Sequence, residues 1–257
     1  MKLPGFLPEE LRQLARFVPS RGWDAVEWRP MLASLRQLSW RLVTGAGVQK
    51  QSDLTQAWVD KVTLRPAGPG ALSLEGLDRA ARKRSAGDRI LHLYFRQWLV
   101  EEGVFLDLRP GRFVWSDRRL HFLPNGLWLE LRPEFRTGIL DLYRSFYSDD
   151  EPALRSALTR MGMLRPGLSP SAEDELIALL HRHFGMESGA QRFSIDTFKA
   201  SFDRLFDFFL AHDYRLHSDF VFIGFYLITL YLSLEALGQK HDVRRICAEA
   251  LGDPEQD

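Results

Sequence analysis

The sequence predicts an α+β fold that is mainly α-helical, with one central β-hairpin. Three observations carry that prediction. Apolar residues recur at three- and four-residue steps along most of the chain, the spacing of one buried helix face. Two short strand-like runs, 112–115 and 119–123, flank a turn of Ser116, Asp117 and Arg118. Seven Trp, eighteen Phe and six Tyr in 257 residues need a large core, which excludes disorder.

The elements follow in order. Pro8, Glu9 and Glu10 form an acidic first turn behind a proline, and Leu11, Leu14, Phe17 and Val18 continue at helical spacing. Met31, Leu32, Leu35 and Leu38 share one face of a second helix over 28–43. Gly45-Ala46-Gly47 then reads as a glycine stop, because phosphate loops follow a strand and open a helix. Two prolines and two glycines within 65–70 break the chain. A boundary is expected there, between an N-terminal helical segment (1–70) and a larger helical unit (71–257). The basic run 78–84 reads as a solvated helix face, with phosphate or an anionic membrane surface as its alternative contact.

A helix over 88–102 carries the stripe Ile90, Leu91, Tyr94, Phe95 and Trp98, and Gly103 stops it. After the hairpin, Pro124-Asn125-Gly126 supplies turn chemistry. Helical steps then dominate: Phe135, Ile139, Leu142, Phe146; Leu154, Ala157, Leu158, Met161; Leu176, Ile177, Leu180, Phe184. Ile195, Phe198, Phe202, Phe206 and Phe209 form a phenylalanine stripe that reads as core. The uncharged run 220–234 lies between Asp219 and Glu235. Its fifteen residues fall short of the roughly 20 that span a bilayer, so a buried central helix is expected.

Composition narrows the function. The 34 basic and 34 acidic residues cancel, whereas nucleic-acid binders show a basic excess, so no nucleic-acid partner is expected. A single cysteine, Cys247, excludes an intrachain disulfide and a multi-cysteine metal site. Arg244 and Arg245 beside it could lower its pKa, yet no base adjoins it, and a structural or incidental thiol is the default. Residues 1–7 are too short and proline-bound for a signal h-region, so no secretory signal is expected. The expected location is cytoplasmic, or peripheral at a membrane. His181 and His183 stand about 200° apart on a helix, cannot chelate one ion and read as partly exposed. There is no Gly-x-Ser-x-Gly, His-Glu-x-x-His or Walker-A motif.

The informative stretch is 97–146. Its order is helix, Gly103-Val104-Phe105 loop, Asp107, Pro110-Gly111, hairpin, Pro124-Asn125-Gly126, long helix. This resembles the catalytic region of the UbiB/AarF-like (ADCK-type) family of atypical kinases. That family has Gly-Phe-Phe-His-Ala-Asp-Pro-His-Pro-Gly-Asn, a hairpin and Asp-Phe-Gly. With one residue deleted after Phe105, Asp107 falls on the catalytic Asp, and Pro110 and Gly111 on the Pro-Gly. The likeness spans about two-thirds of the chain, 78–249.

The departures matter as much. Leu106 and Arg109 replace the two His, Arg112 the metal-binding Asn, and Pro124 the metal-binding Asp; Asn125 fills the Phe position and Gly126 keeps the turn. The first 70 residues show no Lys-x-Gly-Gln motif, alanine-rich nucleotide loop or ATP-anchoring strand. The resemblance therefore implies a kinase-like C-lobe with a shortened or replaced N-lobe.

Proline has no side-chain oxygen and arginine only donates, so the usual magnesium ligands are lost and no metal is expected. Without metal the phosphoryl charge is poorly stabilised. Asp107 is the one surviving catalytic candidate. Arg109 and Arg112 are candidates to clamp an anion, unless Arg112 pairs with Asp107 or lies in solvent and the cleft is dead. The leading expectation is a catalytically degenerate protein that regulates or scaffolds a protein partner. By resemblance, that role would lie in isoprenoid or quinone lipid metabolism. One alternative is a metal-poor enzyme that binds ATP, with Asp107 as base. The other is a helical lipid-binding or membrane-surface protein.

Overall fold

The computed structural model describes residues 9–17, 20–58, 61–63, 67–99, 103–184 and 190–252. Three helices come first: α1 (Glu9–Ala15), α2 (Trp28–Thr44) and α3 (Ala46–Trp58). Helix α2 buries Met31, Leu35 and Leu38. Leu32 lies on its outer side with Trp40, 68% exposed, and Val43, 80% exposed. Gly45 ends α2 in the left-handed region at φ 69°. The next residue starts α3, which the glycine stop conceals in the sequence.

Two strands, β1 (Val62–Thr63) and β2 (Leu72–Ser73), precede α4 (Ala80–Arg96). The helix expected over 88–102 thus begins eight residues earlier, taking in the basic run from Ala80 on, and tightens to a 3₁₀ turn at Gln97–Leu99. Its expected last residues lie outside the described residues. Next come β3 (Val104–Phe105), β4 (Phe113–Ser116), β5 (Arg119–Phe122) and β6 (Trp128–Leu129). The expected hairpin is β4–β5, paired from Phe113↔Phe122 to Ser116↔Arg119. Its two turn residues, Asp117 and Arg118, both have positive φ, at 50° and 60°. That is the type I′ geometry whose twist matches a two-residue hairpin. Strand β1 adds parallel to β5 and β2 antiparallel to β4, giving the order β1-β5-β4-β2. Strands β3 and β6 pair separately, Val104↔Leu129 and Phe105↔Trp128.

The remainder is helical: α5 (Pro133–Ser148), α6 (Glu151–Arg160), α7 (Pro170–Phe184), α8 (Ile195–Ala211), α9 (Ser218–Leu237) and α10 (Val243–Leu251). A short antiparallel pair, β7 (Gln191–Arg192) and β8 (Lys240–His241), joins the segment ahead of α8 to the segment ahead of α10. Asp150, Ser194 and Asp242 cap α6, α8 and α10 by accepting an N–H from the first turn. The mainly helical α+β class is as the periodicity predicts.

Helix α9 is long and apolar enough to cross a membrane, and 78% of that apolar window is buried inside the protein. It packs on α1, α2, α4 and α8, so it is the axis of the fold. The phenylalanine stripe of α8 meets it: Phe209 lies edge-on to Phe220 and Phe202 stacks parallel to it. One apolar core runs from Leu14 to Leu251, across the break at 65–70.

The histidine reading needs correction. His183 is buried, not partly exposed: its Nδ1 meets Ser201 Oγ at 2.7 Å and its ring lies on Phe198 and Phe202. The apolar side of α7 claimed it because α8 closes over that helix. The Cys247 thiol is pushed up to about 12 by burial, which outweighs the downward pull of a nearby cation, Arg144.

Candidate functional site

The site begins with two leucines that bracket an acid. Leu106, Asp107 and Leu108 are all 0% exposed. A loop this deep must find partners for its backbone groups. Leu106 N–H donates to the Leu127 carbonyl at 3.0 Å. Helix α9 supplies the rest. Thr229 Oγ1 accepts the Leu108 N–H at 3.0 Å, and Ser233 Oγ donates to the Leu108 carbonyl. These are two aliphatic hydroxyls, one turn apart, in the buried part of a mainly apolar helix. On the other side, Gln97 Oε1 accepts the Phe105 N–H at 2.6 Å.

Held this way, Asp107 projects into a ring of donors. Arg109 approaches it side-on, Nε to Oδ1 at 2.8 Å and Nη2 to Oδ2 at 2.9 Å. The Arg109 backbone N–H adds a bond to Oδ1 at 3.2 Å. Asn125 Nδ2 donates to Oδ2 at 2.7 Å. Arg112 Nε stands 3.7 Å from Oδ2. A carboxylate offers about four lone-pair directions, and four hydrogen bonds occupy them.

The Asn125 turn is fixed from α3. Gly47 lies so close to it that a Cβ there would fall 2.2 Å from the Gly126 carbonyl oxygen. That approach brings Gln51, itself 0% exposed, onto the turn. Gln51 Oε1 accepts the N–H groups of Asn125 (3.0 Å) and Gly126 (2.7 Å), and Nε2 donates to the Leu127 carbonyl (2.8 Å). Asn125 Oδ1 in turn accepts the Leu127 N–H at 3.1 Å. Arg41 of α2 reinforces the contact by bonding the Trp128 carbonyl at 2.9 Å and lying 3.8 Å above its ring.

The structure therefore brings Leu106, Asp107, Arg109, Arg112, Asn125 and Gly126 to one place, with Pro124 half-buried beside them. Arg112 pairs with the carboxylate as an ion pair, and Arg109 closes on it with hydrogen bonds. Outside it lies a shallow depression of about 330 Å³ lined by Glu9, Gln13, Arg109, Gly111 and Arg112. Gln13 Oε1 takes another Arg109 N–H at 2.8 Å. Among the described residues, no group of three His, Cys, Asp or Glu is placed to share a metal ion.

Sequence reasoning missed Gln51, Thr229 and Ser233. A signal existed for the hydroxyls, since two polar residues four apart in an apolar run share a helix face. Nothing local marked Gln51, whose partners lie about 75 residues away. Comparison of the sequence with known protein families and with curated proteins finds no match.

Proposed function

We propose that this chain is a catalytically degenerate, kinase-like protein of the UbiB/AarF type that acts by binding, as a regulator or scaffold of a protein partner. One observation carries the proposal: the carboxylate in the catalytic position is fully occupied. Arg109 and Asn125 make four hydrogen bonds to the two oxygens of Asp107, at 2.7 to 3.2 Å, which leaves no lone pair for a substrate hydroxyl. The order of helix α4, buried acid, hairpin β4–β5, Gly126 turn and helix α5 supports the kinase-like part of the reading. A place in isoprenoid or quinone lipid metabolism follows from the sequence resemblance.

The test is thermal unfolding with ATP or ADP, each with magnesium and with EDTA. No shift is expected under any condition. A single site at 100 times its dissociation constant would add about 2.7 kcal/mol, which such a scan resolves. A magnesium-dependent shift, or ATP turnover lost in Asp107→Asn, would overturn the proposal.

A second reading, attachment to a membrane surface, rests on α2. That helix exposes Arg29 and Arg36 with Trp40 and Val43 and carries no acidic residue. Co-sedimentation with phosphatidylglycerol vesicles, abolished by Trp40→Asp, would favour it; no co-sedimentation would remove it.

A further inference from the structure

The basic run 78–84 is not used by the site around Asp107. Helix α4 carries part of it to the wall of a cavity of about 370 Å³. The walls come from three places: Lys61 just before β1; Arg84, Ser85, Asp88 and Arg89 on α4; and Arg245 and Glu249 on α10. Four cations and two carboxylates thus face one space.

Both carboxylates are already engaged. Asp88 meets the buried His241 Nδ1 at 2.7 Å and Arg245 at 3.7 Å. Glu249 takes Lys61 at 3.4 Å and also Arg245. Two guanidiniums remain. Arg84 has no carboxylate partner among the described residues. Arg89 donates to the Arg118 carbonyl at 3.0 Å and lies over the Trp115 ring, 5.0 Å from its centre. Neither partner of Arg89 carries a negative charge. Burial, and then the like charge of Arg119, lowers its pKa. A cation kept partly desolvated beside another cation is costly unless a counter-charge joins it. Forked donors of this kind match phosphate oxygens, and Ser85 adds a neutral hydroxyl.

We infer that the cavity between α4 and α10 binds a phosphate-bearing anion, with Arg84 and Arg89 as its principal ligands. Lys61 and Arg245 pair with Glu249 and Asp88 and so offset the two carboxylates of the cavity wall. The shared chemistry is a phosphate group, whether free in solution or on a lipid head. This inference is independent of the reading of Asp107.

The experiment is calorimetric titration of the full chain with inorganic pyrophosphate, and separately with vesicles of phosphatidylcholine containing phosphatidic acid. Sodium chloride at matched ionic strength is the reference. Saturable binding of either probe is expected, weakened at least tenfold by Arg84→Ala and by Arg89→Lys. The exposed Arg84 also allows Arg84→Glu, which should abolish binding without a loss of fold. Binding of pyrophosphate identifies a soluble phosphate as the source; binding of vesicles alone identifies a lipid head. Binding of neither probe, or equal binding by wild type and Arg84→Glu, would overturn the inference.

Discussion

Arg109 grips Asp107 with two parallel N–H···O bonds, 2.8 and 2.9 Å long, two residues along the same loop. The carboxylate is fully buried, and the guanidinium is its principal counter-charge. Removing one member of such a pair leaves an uncompensated charge in the interior. Arg109→Met should cost about 3 kcal/mol in urea unfolding. With Asp107→Asn in the same chain, the cost of Arg109→Met should drop by at least about 1 kcal/mol. Equal costs in both backgrounds would show that the pair is not coupled.

Gln51 satisfies two N–H groups and one carbonyl of the 125–127 turn. Alanine there strands all three in a dry place. Gln51→Ala should lower stability by about 3 kcal/mol, at 1–3 kcal/mol for each orphaned group partly offset by relaxation. Amide exchange at Asn125 and Gly126 should accelerate more than at the α9 core. Uniform acceleration would argue against a local clasp.

Thr229 offers a cleaner substitution, because valine keeps its shape. Thr229→Val leaves the Leu108 N–H without its acceptor and should cost about 2 kcal/mol. Leu230→Val on the same helix changes no polar group and should give a smaller loss of polar-network origin, seen as unchanged amide protection at Leu108.

His183 supplies a pH dependence. Burial lowers its pKa from 6.5 to about 4. The folded state therefore holds it neutral while the unfolded chain takes up a proton. Stability from this group is complete above pH 6.5, and falls as pH drops toward 4, by about 3 kcal/mol in all. Unfolding free energy measured across that window should fall in the wild type and fall less in His183→Leu. Parallel profiles would show that other groups set the acid limb.

Much of the fold is legible in the sequence, and the reasons are physical. Helices α2, α4, α5 and α8 announce themselves because each buries one stripe, such as Phe198, Phe202, Phe206 and Phe209. The β4–β5 hairpin shows through its turn. Strands such as β1 and β6 are two residues long and carry no period to detect. Helix α3 is hidden by its polar composition and by Gly45 and Gly47.

The site divides in the same way. Asp107, Arg109 and Asn125 stand out locally, and they meet. Their supports, Gln51, Thr229 and Ser233, do not stand out, since each acts on a residue far along the chain. Which arginine reaches the carboxylate depends on the path of the loop between Leu108 and Arg112, which sequence pattern does not specify.

The bonds that pin the Asp107 loop also have a place in time. Leu108 meets Thr229 across 121 residues and Ser233 across 125, while Gly126 meets Gln51 across 75. Closing such spans costs chain entropy before any contact rewards it, so local helices form first. The lock is expected to complete late, after the folding barrier, and to weigh on the rate of escape from the native state. In a chevron, Thr229→Val should raise the unfolding arm and leave the folding arm in place. The buried acid, held by donors from its own loop and from the Asn125 turn, would then act as a latch, setting how long the protein stays folded.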